Sequence, residues 1–544
     1  MVPYVRKSFF KHYVLNYIKD QGDFSSLNVI NMTNDDIDDW VDEHKKEFLE
    51  KFNLKYEDFR LDNLKKLDEH YANSALFDTK IELMQAVEAL YHNLNTLQSR
   101  PGSQLPFSSM NFGSCTLPEG QMVIETLLDG SLRGTGKNHL TPIFPCGIFQ
   151  VGKGINKEPG DPNYYLFRKA LKSTAKRIYP NYANLDWSGN KGYDKNDPRT
   201  YFSTMGCRTA NGYDINAEEG QNPLLKDGRG NICPQTIILP TLAMEVLEDS
   251  EMEDLKNGVI SGDNEKKIDK FMRLLSRKID QTKDSLIERF EWIASQNPKS
   301  APFMWGNGTM FGYKKEEGIR SALKHGTLAV GSLGLAETLQ ILIGKNHTTD
   351  EGMEVAKRIY RLFRKKCAEY KEEYHLNFGV YYTPAENLCY TAMKKFKDKY
   401  GVIPNVSDRP YFTNSIHVPV WEEITPFKKI DIESQLTGYS SAGCITYVEV
   451  DSKVKNNLDA LEKLVVYMMD KDIPYGAINF PIDNCTECGY SDEFEGDVCP
   501  KCGSANIEHL GRVTGYLSSD VRRFNYGKYN EFKDRVLHEE HILV

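Results

Sequence analysis

Residues 485–517 read CTECGYSDEFEGDVCPKCGSANIEHLGRVTGYL, and this tail is the key to the fold of the whole chain. Cys485 and Cys488 form one Cys-x-x-Cys pair and Cys499 and Cys502 another, with ten residues between them. Each pair is a short knuckle that can turn two thiolates toward one face of a tetrahedral ion, and four thiolate donors make a closed, structural zinc site. Gly489 and Gly503 each follow the second cysteine of a pair, where a turn with positive φ lets backbone amides approach the sulfurs. A redox dithiol or a generic nucleic-acid-binding zinc ribbon would share this spacing. Neither accounts for the glycine motif that follows.

Working outward, the 544 residues can bury a large core, and 40% hydrophobic with 27% charged residues is an ordinary globular composition. No run reaches the roughly 18 apolar residues of a membrane span. The first residues mix Arg6, Lys7, Lys11 and His12 with aromatics, unlike a secretory signal. The net charge of −9 argues against a nonspecific nucleic-acid binder. Eleven cysteines, four of them in one cluster, do not form a disulfide framework. These features predict a cytoplasmic protein in a reducing setting, with neither membrane nor nucleic acid as partner.

Periodicity predicts a mainly helical part over residues 1–100. Ile37, Trp40, Val41, Phe48, Leu49 and Phe52 recur at helical spacing, and Asp78 is a candidate cap for a helix carrying Leu83, Val87, Leu90, Leu94 and Leu97. After a polar joint at 99–104, residues 101–480 read as mixed α/β. Strands are expected at 141–149, 233–239, 376–382 and 444–450, with helices at 263–294 and 353–370. Residues 481–544 separate by composition.

Thirteen residues after Cys502, Gly515 lies within Arg512-Val513-Thr514-Gly515-Tyr516-Leu517. This segment resembles the glycyl-radical loop of anaerobic, class III ribonucleotide reductases, where it follows a four-cysteine zinc site. Glycine suits the chemistry because an α-carbon radical is stabilised when planar between an amide nitrogen and a carbonyl. The resemblance implies an α/β fold, a ten-stranded barrel of the glycyl-radical type with a small zinc-ribbon-like C-terminal domain. It also implies reduction of ribonucleoside triphosphates to deoxyribonucleotides, with Gly515 storing the radical.

Met205-Gly206-Cys207-Arg208-Thr209 resembles the family's finger loop, which makes Cys207 the implied thiyl-radical cysteine that abstracts the 3′ hydrogen of ribose. Cys115, Cys146, Cys367, Cys389 and Cys444 read instead as small buried hydrophobes. Gly228-Arg229-Gly230-Asn231 resembles the segment whose asparagine contacts formate, the implied reductant; a turn-capping asparagine fits the same residues. Thr383, Ala385, Glu386 and Asn387 lie between an expected strand and helix, where free amides favour phosphates. They resemble the family's substrate-phosphate loop, although a plain helix N-terminus fits as well.

The resemblance further implies a radical-SAM activating enzyme with an iron–sulfur cluster, a homodimer, and dNTP or ATP effectors. It also has gaps. The opening Tyr4-Val5-Arg6-Lys7-Ser8-Phe9-Phe10 resembles a segment from the middle of the family's catalytic domain. The regulatory cone and the first barrel strand with its second redox cysteine have no counterpart here. A separate N-terminal polypeptide is therefore an expected partner. The competing readings are another glycyl-radical enzyme, or a non-catalytic zinc-binding piece that works only with that partner.

Overall fold

The computed structural model describes residues 1–21, 32–98, 105–512 and 515–538. Eight strands build its centre: β1 (Ser109–Phe112), β2 (Cys146–Val151), β3 (Asn181–Asn184), β4 (Asn231–Ile238), β5 (Thr327–Leu333), β6 (Asn377–Tyr381), β7 (Thr446–Glu449) and β8 (Tyr475–Asn479). They form two sheets, ordered β1-β2-β3-β8-β7 and β4-β5-β6. All pairings are parallel except β3 with β8. An isolated parallel bridge from Tyr381 to Gly443, just before β7, connects the two sheets. The chain is thus mixed α/β, as expected. These sheets hold eight strands among the described residues, not ten, and β1 and β4 each have one hydrogen-bonded neighbour.

Local chemistry explains where the elements begin. β2, β5 and β8 are buried along their whole length, the pattern of strands covered on both faces. β2 starts at Cys146 rather than at residue 141, because Pro142 and Pro145 have no amide hydrogen to donate. Pro234 is accommodated within β4, which lies at a sheet edge.

The helix Asn264–Ala294 opens on Asp263, whose side chain accepts from Lys266 N, a cap contributing about 1 kcal/mol. Its stripe Ile268, Phe271, Leu275, Ile279, Leu286 and Phe290 is buried in the same core as β4, β5 and β6. At roughly 1.5–3 kcal/mol per buried side chain, this packing outweighs the cap and sets which face of the helix turns inward.

One helix start differs from expectation. The helix Glu69–Thr96 is capped by Asp68, which accepts from His70 N and Tyr71 N. Asp78 lies inside it and instead accepts from Asn16 Nδ2 of the first helix, Val2–Gln21. Phe9, Phe10 and Tyr13 of that first helix pack with Phe48 and Phe59 in a separate aromatic core, Phe10 and Phe59 edge to face at 4.8 Å. The joint at 99–104 lies outside the described residues.

The tail folds as a small antiparallel sheet of β9 (Ile482–Cys485), β10 (Ser491–Asp492), β11 (Ile507–Arg512) and β12 (Leu517–Ser518), ordered β10-β9-β11-β12. Among the described residues no helix is long and apolar enough to cross a membrane.

Candidate active site and metal centre

Cys485 ends β9, and the other three cysteines of the quartet come from the loops that follow. One ligand atom from each lies within 4.8 Å of every other. Cys485 Sγ is 3.6 Å from Cys502 Sγ, and Cys488 Sγ is 3.7 Å from Cys499 Sγ. Four sulfurs about 2.3 Å from a tetrahedral zinc stand roughly 3.8 Å apart, so the quartet fits that ion. Gly489 and Gly503 have the expected positive φ, 71° and 75°, but their amides donate to the carbonyls Cys485 O and Cys499 O, closing each turn, rather than to the sulfurs. A β-carbon on Gly489 would stand 2.2 Å from Asn138 O, so this turn also seats the quartet against the rest of the chain.

β11 leads from the quartet to Gly515. Its Ile507 is paired with Cys485, and its far end, Arg512, is paired with Leu517 of β12. Gly515 therefore sits in the β11–β12 turn, pressed onto the loop that bears Cys207. A β-carbon on Gly515 would lie 1.4 Å from Gly206 O and 2.9 Å from Cys207 Cα. Gly206 is equally confined: a β-carbon there would meet Tyr516 Cε1 at 2.5 Å and Cys146 Cβ at 2.9 Å. Both positions need glycine for close approach.

The Gly515 carbonyl accepts from Arg512 Nη1 at 2.7 Å, Asn181 Nδ2 at 3.3 Å and the Cys146 thiol at 3.8 Å. The Asn181 amide also donates to Tyr475 OH at 2.6 Å, and that hydroxyl donates to Gly206 O at 3.1 Å. Burial pushes the Cys146 thiol up to about 11, despite the nearby Arg512, so it keeps its hydrogen. Cys367, Cys389 and Cys444 are buried as expected and Cys115 is partly exposed. Cys146 is buried too, but it touches the candidate site. It could not be told from the others in the sequence; Asn181 and Tyr475, on β3 and β8, gave no local signal either.

Cys207 is half-buried in a hairpin held by the Thr204–Ala210 bridge. Its Sγ is 3.4 Å from Thr209 Oγ1, which is 3.0 Å from Tyr381 OH at the end of β6. Arg208 is fully buried, and its guanidinium reaches Tyr447 OH at 2.7 Å, Tyr382 O at 3.3 Å and His417 Nε2 at 3.3 Å. That last contact requires Nε2 as acceptor, so His417 is neutral and its Nδ1 hydrogen faces Glu433. Burial lowers the pKa of His417. Burial opposes ionisation of Glu433, yet His417 and Lys429 beside it hold its carboxyl below the usual range.

Thr383 to Asn387 connect β6 to the helix Leu388–Tyr400. Thr383 Oγ1 is 2.8 Å from Thr236 Oγ1 on β4, and Ala385 has φ of 50°. Pro384 O accepts from Asn414, and Asn387 Oδ1 accepts from Asn525. Glu386 and Asn387 are exposed. Arg208, bonded to Tyr382 O, ties this loop to the Cys207 hairpin. Gly515, Cys207 and Thr383 are thus brought together through short chains of contacts.

Asn231 is not part of that group. Its Oδ1 is buried without a partner, and the residue lines a cavity of about 510 Å³ with Trp305, Met304 and Met310. The neighbouring Arg229 O accepts from Asn211 Nδ2, in the stem of the Cys207 hairpin rather than its tip.

The model of a family described as anaerobic ribonucleoside-triphosphate reductase matches residues 1–538. The chain belongs to this family. A reductase of that name from Haemophilus influenzae is 34% identical over 470 residues, covering 84% of this chain and 62% of the relative. The reductase from Escherichia coli is 33% identical over 483 residues, covering 86% of this chain and 63% of its own length. This family member thus spans less than two thirds of those relatives. Its fold is similar to that of the anaerobic ribonucleotide reductase from Thermotoga maritima in complex with dATP and CTP, with a TM-score of 0.58, 18% identity, and coverage of 85% of this chain and 72% of that one.

Proposed function

We propose that the chain carries the catalytic centre of an oxygen-sensitive ribonucleoside-triphosphate reductase, with Gly515 as radical store and Cys207 as the residue that attacks substrate. The observation that carries this reading is the contact of Gly515 with Gly206 and Cys207 across two chain segments far apart in sequence. Radical transfer then breaks the Cys207 S–H bond and forms a C–H bond at the Gly515 α-carbon. The resulting thiyl takes the 3′ hydrogen of ribose, and the 2′-hydroxyl leaves as water after protonation. Formate supplies the hydrogen that replaces the hydroxyl at C2′ together with the two electrons and leaves as carbon dioxide, and Cys207 returns the hydrogen to C3′, restoring the thiyl. The protein's share is position and a dry cavity.

Thr383, Ala385, Glu386 and Asn387 would receive the substrate phosphates at the start of the Leu388–Tyr400 helix. Asn231 would meet formate through its side-chain amide hydrogens, since its Oδ1, like the carboxylate, can only accept. The quartet Cys485, Cys488, Cys499 and Cys502 would hold structural zinc. A radical-SAM activase with an iron–sulfur cluster would generate the radical, because no cluster site stands beside Gly515 among the described residues. The edges of β1 and β4 would accept two further strands to complete a ten-stranded barrel. The remaining proposals are a cytoplasmic homodimer, dNTP or ATP effectors, and a division at residues 1–100, 101–480 and 481–544.

Anaerobic electron paramagnetic resonance after incubation with an activase tests the reading. A glycine-centred doublet is expected, absent in Gly515→Ala and present without turnover in Cys207→Ser. No doublet from the intact, zinc-loaded chain would favour a non-catalytic zinc-binding protein.

A further inference from the structure

Arg512 is a buried cation without an anion. It is 2% exposed, and its guanidinium donates to Gly515 O, Asn479 Oδ1 and Ile178 O, all neutral acceptors. Among the described residues no carboxylate forms an ion pair with it, and the Tyr179 ring centre lies 5.5 Å away. Withdrawing a guanidinium from water is costly, and Arg177 and Arg208 are likewise buried against neutral acceptors; what sets Arg512 apart is that the carbonyl it serves is that of Gly515. An amide donor would satisfy one turn carbonyl at far smaller cost, and Asn181 already supplies one. The surplus of donors on Gly515 O therefore calls for a reason beyond satisfying a backbone acceptor.

We propose that Arg512, Asn181 and Cys146 form a clamp that stabilises the Gly515 radical through its carbonyl, and that Tyr475 couples this clamp to the Cys207 loop. The inference rests on the reading of Gly515 as the radical store. An α-carbon radical between an amide nitrogen and a carbonyl shifts electron density from nitrogen toward the carbonyl oxygen. A guanidinium on that oxygen favours the shift, draws spin off the carbon, and acts strongly because the site is dry. The three donors also fix the plane of the carbonyl, which the radical needs and which glycine cannot enforce through a side chain. Asn181 and Cys146 are both 0% exposed, and the thiol keeps its hydrogen for the contact.

Tyr475 has a separate task. Its hydroxyl accepts from the same Asn181 amide that holds Gly515 O and donates to Gly206 O. The peptide leading into Cys207 is thereby tied to the carbonyl of the radical glycine. Clamp and strut are positioning groups; none of them touches substrate in this arrangement.

The test uses the full chain, activated anaerobically, with zinc content and melting curves recorded for every variant. Arg512→Met should lower radical yield or lifetime about ten-fold or more, as expected for loss of a charge-assisted hydrogen bond, and should widen the α-proton splitting of the doublet. Arg512→Lys should recover part of both. Tyr475→Phe should leave yield and splitting unchanged while reducing kcat about ten-fold at constant KM. If Arg512→Met loses zinc or melts early, electron-nuclear double resonance on the wild type decides instead. Exchangeable proton couplings additional to that of the Gly515 amide N–H, lost in deuterium oxide, support the clamp. Their absence overturns it, as does a folded Arg512→Met with wild-type splitting and lifetime. A wild type that yields no doublet overturns the radical-store reading itself, and the clamp with it.

Discussion

Cys485 and Ile507 are register partners in β9 and β11, which places the cysteine quartet and Gly515 at opposite ends of one short strand. Arg512 lies five positions on from Ile507, a span of roughly 17 Å in extended chain. Order at the quartet is therefore transmitted directly to the turn that presents Gly515.

Removing the metal should release that turn. Cys499→Ser is expected to abolish zinc binding, expose the 486–517 segment to proteases, and cut the glycyl-radical yield at least about ten-fold, given how strongly structural zinc couples to local folding. Metal analysis, limited proteolysis and spin counting check this. A zinc-free variant with an intact, activatable turn would sink the idea.

The facing glycines predict a steric effect separate from chemistry. In Gly206→Ala the new methyl would meet Tyr516 Cε1 at 2.5 Å and Cys146 Cβ at 2.9 Å. Overpacking of this kind costs about 1–3 kcal/mol, so the melting temperature should fall by several degrees and turnover should drop even where the radical still forms. An unchanged melting curve and rate would show that the contact is looser than described.

Arg208 should prove structural as well as positional. Arg208→Leu removes donors from Tyr447 OH, Tyr382 O and His417 Nε2 in a fully buried site. Leaving such acceptors unpaired costs about 1–3 kcal/mol each, so urea unfolding should shift to clearly lower midpoints. Arg208→Lys should recover little, because an ammonium cannot reproduce the planar fork.

Stability should also fall on acidification. His347 is 1% exposed, its Nε2 hydrogen serves Ile416 O at 2.9 Å, and its Nδ1 is buried without a partner. Burial pushes its pKa down to about 4. From pH 6.5 downward the unfolded chain binds a proton that the folded chain refuses. Stability is thus fully present above about pH 6.5 and is lost progressively toward pH 4, by an amount on the order of 3 kcal/mol. Denaturation midpoints measured at pH 7, 6 and 5 should decline, and His347→Gln should flatten that decline.

Much of the fold was legible where local chemistry decided it. Asp263, the apolar stripe behind it and Pro298 beyond it mark one long helix whose observed bounds, Asn264–Ala294, agree closely. Asp78 misled because an aspartate before an apolar stripe looks like a cap, whereas its oxygen serves Asn16 on another helix. β5 and β8 are not among the strands the sequence predicts, although β2 and β6, equally buried along their length, are. In the site, Cys146 resembles any buried cysteine until β2 is placed beside the Gly515 turn.

By itself the sequence determined the four-cysteine quartet, the Arg512–Leu517 motif and the candidate thiol at Cys207. The quartet depends on residue types a few positions apart, where covalent reach and turn geometry leave little freedom; the motif and Cys207 were marked by resemblance to the family. Only the tertiary structure decided that Gly515 meets Gly206, that Arg512, Asn181 and Cys146 share one carbonyl, and that Asn231 faces a different cavity. Those contacts join segments hundreds of residues apart, except for Arg512. Sheet order and core packing place such segments, and no local spacing encodes either.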